Sequence, residues 1–76
     1  MNQRLYTMLM SEAIAEKEKA LLSLDLLGNK AAGIGDHSTK DFYDNATEAL
    51  QMLVDADDKI AALHRYFPQN KEVIKG

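Results

Sequence analysis

The second half of the chain carries a regular apolar stripe. Apolar side chains recur there at alternating steps of four and three residues. The members of this stripe are Phe42, Ala46, Ala49, Leu53, Ala56, Ile60, Leu63 and Phe67. Such heptad spacing keeps one face of a helix apolar along its length, and the charged residues fall between these positions. The pattern therefore predicts an amphipathic helix over about 39–67.

Both ends of this helix have sequence signals. The hydroxyl of Ser38 can accept a hydrogen bond from a first-turn amide, and Asp41 three positions later completes an S-x-x-D capping pattern. At the other end Pro68 lacks an amide donor and restricts Phe67, so the helix is expected to end there. Residues 68–76 are predicted to form a flexible tail.

The first half predicts a second helix, over about 3–27, that is apolar on more than one side. Its heptad seam runs through Tyr6, Met10, Ala13, Lys17, Ala20, Leu24 and Leu27, backed by Ile14 and Leu21. Gly28 and Asn29 suit a left-handed C-cap. Lys17 interrupts the seam, and two interpretations remain: its ammonium extends to water, or it pairs with Glu48.

The two helices predict an all-α antiparallel hairpin that forms a single domain over 1–76, with a loop over 28–38. A loop centred near Gly33 pairs residues whose numbers add to about 66, such as Ala13 with Leu53. This arrangement leaves a set of large apolar side chains uncovered. They are Leu5, Leu9, Leu22, Leu26, Tyr43, Leu50 and Val54. So much apolar surface on a small chain predicts a homo-oligomer, with a dimer of hairpins forming a four-helix bundle as the favoured form.

The loop GIGDHST admits one structural interpretation and three chemical ones. As structure, Gly33 and Gly35 allow a reversal of the chain, Ile34 covers the end of the bundle, and Ser38 caps the second helix. An anion site is disfavoured because the phosphate-loop pattern is absent, and a histidine-activated Ser38 lacks an oxyanion pocket. The third alternative is a divalent-metal site, whose candidate ligands are Asp36, His37, Asp41 and Asp44.

Composition narrows the class of protein. The chain has 76 residues, a net charge of −3 and no cysteine, which excludes disulfides and thiolate chemistry. Residues 39–67 carry three basic and six acidic side chains, so no basic surface for nucleic acid is expected there. No run approaches the ~18 apolar residues of a membrane span, and the N-terminus does not have the pattern of a secretory signal. A cytoplasmic protein is predicted.

Two stretches carry a resemblance to a known group of proteins. They are RLYTMLMSEA at residues 4–13 and GIGDHSTKDFYDNATEALQMLVDADDKIAALHRYF at residues 33–67. Together they resemble small uncharacterised proteins of T4-like phages, in particular those that infect cyanobacteria. The resemblance contains no catalytic motif and implies no activity. It implies the cytoplasm of an infected host as the location, and a phage or host protein as the partner.

These observations predict a non-enzymatic interaction or adaptor protein that acts as an oligomer and needs no cofactor. The acidic face of the second helix would suit a basic protein partner. The alternative function is a metal-binding bundle that uses the loop and the start of the second helix.

Overall fold

A computed structural model describes residues 1–30 and 39–69 of the chain. Two helices of 28 residues make up nearly all of this part: α1 spans Gln3–Lys30 and α2 spans Thr39–Tyr66. They pack against each other, and no strand occurs among the described residues. The predicted all-α helical hairpin is therefore confirmed.

The helix ends show which capping signals the chain uses. The amide of Leu5 donates a 2.8 Å hydrogen bond to Oδ1 of Asn2, which makes Asn2 the N-cap of α1. At the end of α2, the amide of Phe67 still donates to the carbonyl of Leu63 at 3.0 Å, and Pro68 follows with no amide to donate. Asn2 was not identified from the sequence, although asparagine directly before an apolar helix is a common cap.

The predicted C-cap at Gly28 is wrong. The helix α1 continues through Gly28 to Lys30, and no glycine in the described ranges has a positive φ. Glycine inside a helix costs only about 1 kcal/mol relative to alanine, so one glycine does not have to end a helix. The first helix is consequently three residues longer than predicted.

The core between the helices is made mainly of alanine. The buried apolar residues are Ala13, Ala20, Ala49, Ala56 and Leu63. Larger seam residues, such as Leu24, Leu53 and Ile60, are half-buried around them. Because alanine has the smallest side chain that still packs, the two backbones can approach closely along this line. The seam predicted for α2 faces α1 from Phe42 to Leu63. Its last member, Phe67, lies beyond the end of α2 and is 39% exposed.

The predicted register is wrong by about two helical turns. The two ion pairs that cross between the helices join Lys17 to Asp57 and Glu16 to Lys59, whose numbers add to 74 and 75 instead of 66. A slide by one heptad brings the same apolar stripe back to the same face, so the stripe itself fits either register. Part of the shift follows from the longer α1, which moves the centre of the connection along the chain.

The register also decides the partner of Lys17. Its ammonium lies 3.6 Å from Oδ1 of Asp57, and both side chains remain substantially exposed. The alternative pair with Glu48 is therefore wrong, because Glu48 lies farther toward the loop end of α2. Lys17 lies at the edge of the seam, and its ammonium group contacts both water and the carboxylate of Asp57.

Candidate interaction surfaces

The two cross-helix ion pairs lie on opposite edges of the seam. Glu16 and Lys17 are consecutive, so their side chains diverge by about 100° around α1 and straddle the line that faces α2. Lys59 and Asp57 straddle the seam of α2 in the same way. The pairs Glu16–Lys59 and Lys17–Asp57 thus mark two different flanks of the hairpin.

The charged flank consists of Glu16, Lys19, Glu48, Gln51, Met52, Asp55 and Lys59. These side chains line one shallow open groove between the helices. Nζ of Lys59 donates a 3.0 Å hydrogen bond to Oε1 of Glu16. This bond, the charge of Glu16 and the charges of further carboxylates raise the pKa of Lys59. The charged flank is a polar, water-facing edge.

The apolar flank lies around the other ion pair and consists of Ile14, Leu21, Tyr43, Leu50 and Val54. Ile14 and Leu21 are three residues before and four residues after Lys17, which places them on its side of α1. Leu50 precedes Asp57 by one heptad and shares its side of α2. All five side chains are between 38% and 63% exposed. This flank therefore presents apolar surface from both helices at once.

A third surface, the outer stripe, is formed by exposed residues of α1 and borders the charged flank. Two of its members, Lys19 and Leu26, also line grooves shared with α2. Its residues follow one another at alternating steps of four and three: Met1, Leu5, Met8, Glu12, Ala15, Lys19, Leu22 and Leu26. All of them are exposed. Its two ends are apolar, whereas its middle carries one acidic and one basic side chain on either side of Ala15.

The structure distributes the predicted interface residues over both apolar surfaces. One group, formed by Tyr43, Leu50 and Val54, belongs to the apolar flank. A second group, formed by Leu5, Leu22 and Leu26, belongs to the outer stripe. Leu9 differs from both groups because it is half-buried beside the seam.

Sequence reasoning missed the contribution of Ile14 and Leu21 to an exposed surface. It treated them as backing for the seam, but they are 45% and 38% exposed. Their exposure could have been predicted from the sequence, because they lie on the same side of α1 as Lys17, whose charge interrupts the apolar seam.

Most of the predicted loop residues lie outside the described part of the chain. Gly33, Ile34, Gly35, Asp36, His37 and Ser38 all fall in residues 31–38.

The two described candidates of the metal alternative lie in the first turns of α2. Asp41 and Asp44 are exposed there, and Oδ2 of Asp44 accepts a 2.8 Å hydrogen bond from Nζ of Lys40. Over residues 1–30 and 39–69, no three histidine or carboxylate side chains are grouped to hold a metal ion.

Another concave surface is an open groove at the end of the hairpin where α1 begins. It is lined by Tyr6, Met10, Ser11, His64 and Pro68, among others. Within the described ranges, no side-chain nitrogen or oxygen is buried without a hydrogen-bond partner. Neither α1 nor α2 is long and apolar enough to cross a membrane.

No protein family, curated protein sequence or solved structure matches the chain.

Proposed function

We propose that this chain is a non-enzymatic interaction protein whose hairpins pair through their apolar flanks into a four-helix bundle. The observation that carries the proposal is the exposed apolar surface on both helices around Lys17 and Asp57. A second copy of the chain is the occupant to which the proposal commits. In such a dimer, each copy covers the apolar flank of the other.

The weakness of the hairpin's own core supports a need for assembly. Among the described residues, four of the five buried apolar side chains are alanine, and no large side chain is completely buried. Burial stabilises by roughly 25 cal/mol per Å² of apolar surface, so alanines contribute little each. A chain of this length usually needs a disulfide, a metal or oligomerisation to supplement its core. The chain has no cysteine to form a disulfide, and oligomerisation is the supplement to which this proposal commits.

The apolar flank suits a bundle better than the other surfaces because it spans both helices. A copy placed against it adds two helices and completes a common core for all four. The charges of Lys17 and Asp57 would be drawn into this contact, but they enter already paired, which lowers the penalty for removing them from water. The charged flank stays in water and leaves Glu48 and Asp55 available to a basic protein partner.

The test compares two substitutions two residues apart on α2. Leu50 on the apolar flank is 54% exposed, and Met52 on the charged flank is 42% exposed. Burying one leucine contributes about 1.5–3 kcal/mol, and a symmetric dimer loses two of them in Leu50→Ser. Because Leu50 is already partly buried within the hairpin, the dissociation constant of the flank contact should rise about tenfold to a hundredfold. Met52→Ser is the matched control and should assemble like the wild type.

Light scattering coupled to gel filtration, over a wide range of concentrations, gives the readout. The wild type and Met52→Ser should have the mass of at least two chains, and Leu50→Ser a smaller mass at equal concentration. A wild type that remains a folded single chain would reject self-assembly as the function. A Leu50→Ser assembly with the wild-type mass would reject the apolar flank as its contact.

A further inference from the structure

We infer that the outer stripe is a second self-association surface, on which α1 of one chain packs antiparallel to α1 of another about a two-fold axis at Ala15. This contact uses residues that the apolar flank does not use. It would join hairpins on their solvent side, beyond the bundle proposed above. The partner is therefore again a second copy of this chain, bound in a defined orientation.

The spacing of the outer stripe is that of a helix-packing seam. Its eight positions, from Met1 to Leu26, alternate between steps of four and three residues, as the buried seam of the hairpin does. Two helices that repeat apolar residues with this average period of 3.5 can stay in contact over several turns. Six of the eight positions are apolar, and all six are exposed. One of them, Leu26, also lines an open groove that it shares with Ala49 and Met52 of α2.

The order of residues along the stripe is what assigns the orientation. Proceeding outward from Ala15 in either direction, one meets first a charge and then two large apolar side chains. The charges are of opposite sign: Glu12 on one side and Lys19 on the other. Beyond them Met8 corresponds to Leu22, and Leu5 corresponds to Leu26.

A two-fold axis through Ala15 places each of these residues opposite its counterpart in the other chain. Glu12 then meets the partner copy's lysine, and Lys19 meets its glutamate, so the contact gains two ion pairs. A parallel pair would instead align glutamate with glutamate and lysine with lysine, which is repulsive. The charge pattern thus favours the antiparallel arrangement of the two helices.

The side chains that this contact needs are exposed, although its two charges also border the charged flank. Besides Glu16, the charge of Glu12 helps to raise the pKa of Lys59. Lys19 lines the groove of that flank. Glu12 and Lys19 are both exposed, and neither forms an ion pair with any other residue of the described ranges. Ala15 at the axis is also exposed, and its methyl group permits close approach of two backbones. The largest apolar members, Leu22 and Leu26, are 59% and 51% exposed.

Cysteine cross-linking tests the orientation directly, because the chain has no cysteine of its own. In the antiparallel pair residue 5 faces residue 26 of the other chain, while the two copies of residue 5 are about 30 Å apart. An oxidised mixture of Leu5→Cys and Leu26→Cys chains should therefore give a disulfide-linked dimer, and neither variant should do so alone. Ala15→Cys should cross-link with itself. Ser11→Cys, which is exposed on α1 but outside the stripe, measures random collision.

All of these variants should be made in a Leu50→Ser background, so that the apolar flank cannot hold the chains together. Leu5→Cys alone cross-linking as fast as the mixture would overturn the antiparallel orientation. Cross-linking of every variant at the rate of Ser11→Cys would overturn the contact itself. Neither result bears on the bundle, which is judged by comparing Leu50→Ser with Met52→Ser.

Charge reversal gives an independent second readout. Glu12→Lys alone, or Lys19→Glu alone, replaces two attractive pairs by two repulsive ones and should raise the dissociation constant about tenfold. The double variant Glu12→Lys/Lys19→Glu restores both pairs and should associate like its parent. If the double variant is as weak as the single variants, or all four proteins associate equally, the inference is wrong.

Discussion

The two flanks of the hairpin are formed by the same two helices, yet they differ in what lies beside the seam. On the charged flank, Glu16 and Lys59 meet at 3.0 Å among further carboxylates that reach water. On the apolar flank, the pair of Lys17 and Asp57 is surrounded by exposed aliphatic side chains such as Leu50. The charged flank is thus mainly polar, with Met52 as an exposed apolar member, whereas the apolar flank exposes large apolar side chains of both helices. The apolar flank is the one expected to require protein.

This difference also shows why the number of ion pairs does not predict which flank associates with another chain. Exposed pairs of this kind usually contribute about 0–1 kcal/mol, on either flank. What separates the flanks is the apolar surface next to the pair, because uncovered apolar surface favours association whereas solvated charge opposes it. The experiments below act first on the seam shared by both flanks, then on each flank separately.

The largest effect is expected from Ala56→Leu in the shared seam. Ala56 is 0% exposed between the helices, so a leucine there forces them apart and disrupts both flanks together. Overpacking of this kind costs about 1–3 kcal/mol. Each 1 kcal/mol lowers the melting temperature of a domain of this size by about 4–8 °C.

Circular dichroism melting at one fixed chain concentration measures this effect. Ala62→Leu, at an exposed position of the same helix, is the control and should melt within a few degrees of the wild type. Equal melting temperatures for Ala56→Leu and Ala62→Leu would show that the helices are not in close contact at Ala56.

An effect on assembly alone, and not on both flanks together, is expected when one charge on the apolar flank loses its partner. Asp57→Leu leaves Lys17 unpaired in the proposed bundle, and an unsatisfied buried polar group costs about 1–3 kcal/mol. The double variant Lys17→Met/Asp57→Leu removes both charges and should assemble at least as tightly as the wild type. Dissociation constants from sedimentation or light scattering provide the comparison.

Lys59→Met, on the charged flank, is the matched control for this pair of variants. Because Lys59 stays in water, its loss should leave the dissociation constant nearly unchanged. An assembly that tolerates Asp57→Leu as well as it tolerates Lys59→Met would mean that Lys17 is not covered by a partner.

The smallest expected effect is a pH dependence of the free energy of unfolding, caused by Lys59 on the charged flank. The hydrogen bond and charge of Glu16 raise the pKa of Lys59 above its ordinary value of 10.5. The folded chain thus holds this proton more tightly than the unfolded chain does. The resulting stabilisation is fully present below pH 10.5 and is lost as the pH rises through the higher folded-state value.

Urea unfolding of the wild type and of Lys59→Gln across this pH range tests the expectation. The wild type should be slightly more stable at neutral pH, and the difference should shrink as the solution becomes more alkaline than pH 10.5. A difference that stays constant across the range would assign the effect of the substitution to something other than this charge.

Individual residues show which features of the fold could be predicted from the sequence. The stripe from Phe42 to Phe67 predicted α2 and the face it turns to α1, because a heptad period leaves one way to bury a continuous row of apolar residues. The same reasoning misjudged Gly28, since one glycine costs only about 1 kcal/mol inside a helix and does not have to end it. The sequence analysis also placed Leu22 and Leu50 in one interface. A helical-wheel projection of a single helix does not show on which side of the two-helix hairpin a residue lies.

The sequence by itself determined that the chain forms two amphipathic helices with buried alanine seams. It also carries the pattern of opposite charges about Ala15. Only the tertiary structure decided the register, because a slide by one heptad repeats the apolar stripe but changes the ionic partners at its edges. That choice brings Lys17 to Asp57 and Glu16 to Lys59, and so divides the hairpin into one apolar and one charged flank. The flank that should bind a second copy is thus a property of how the helices are aligned.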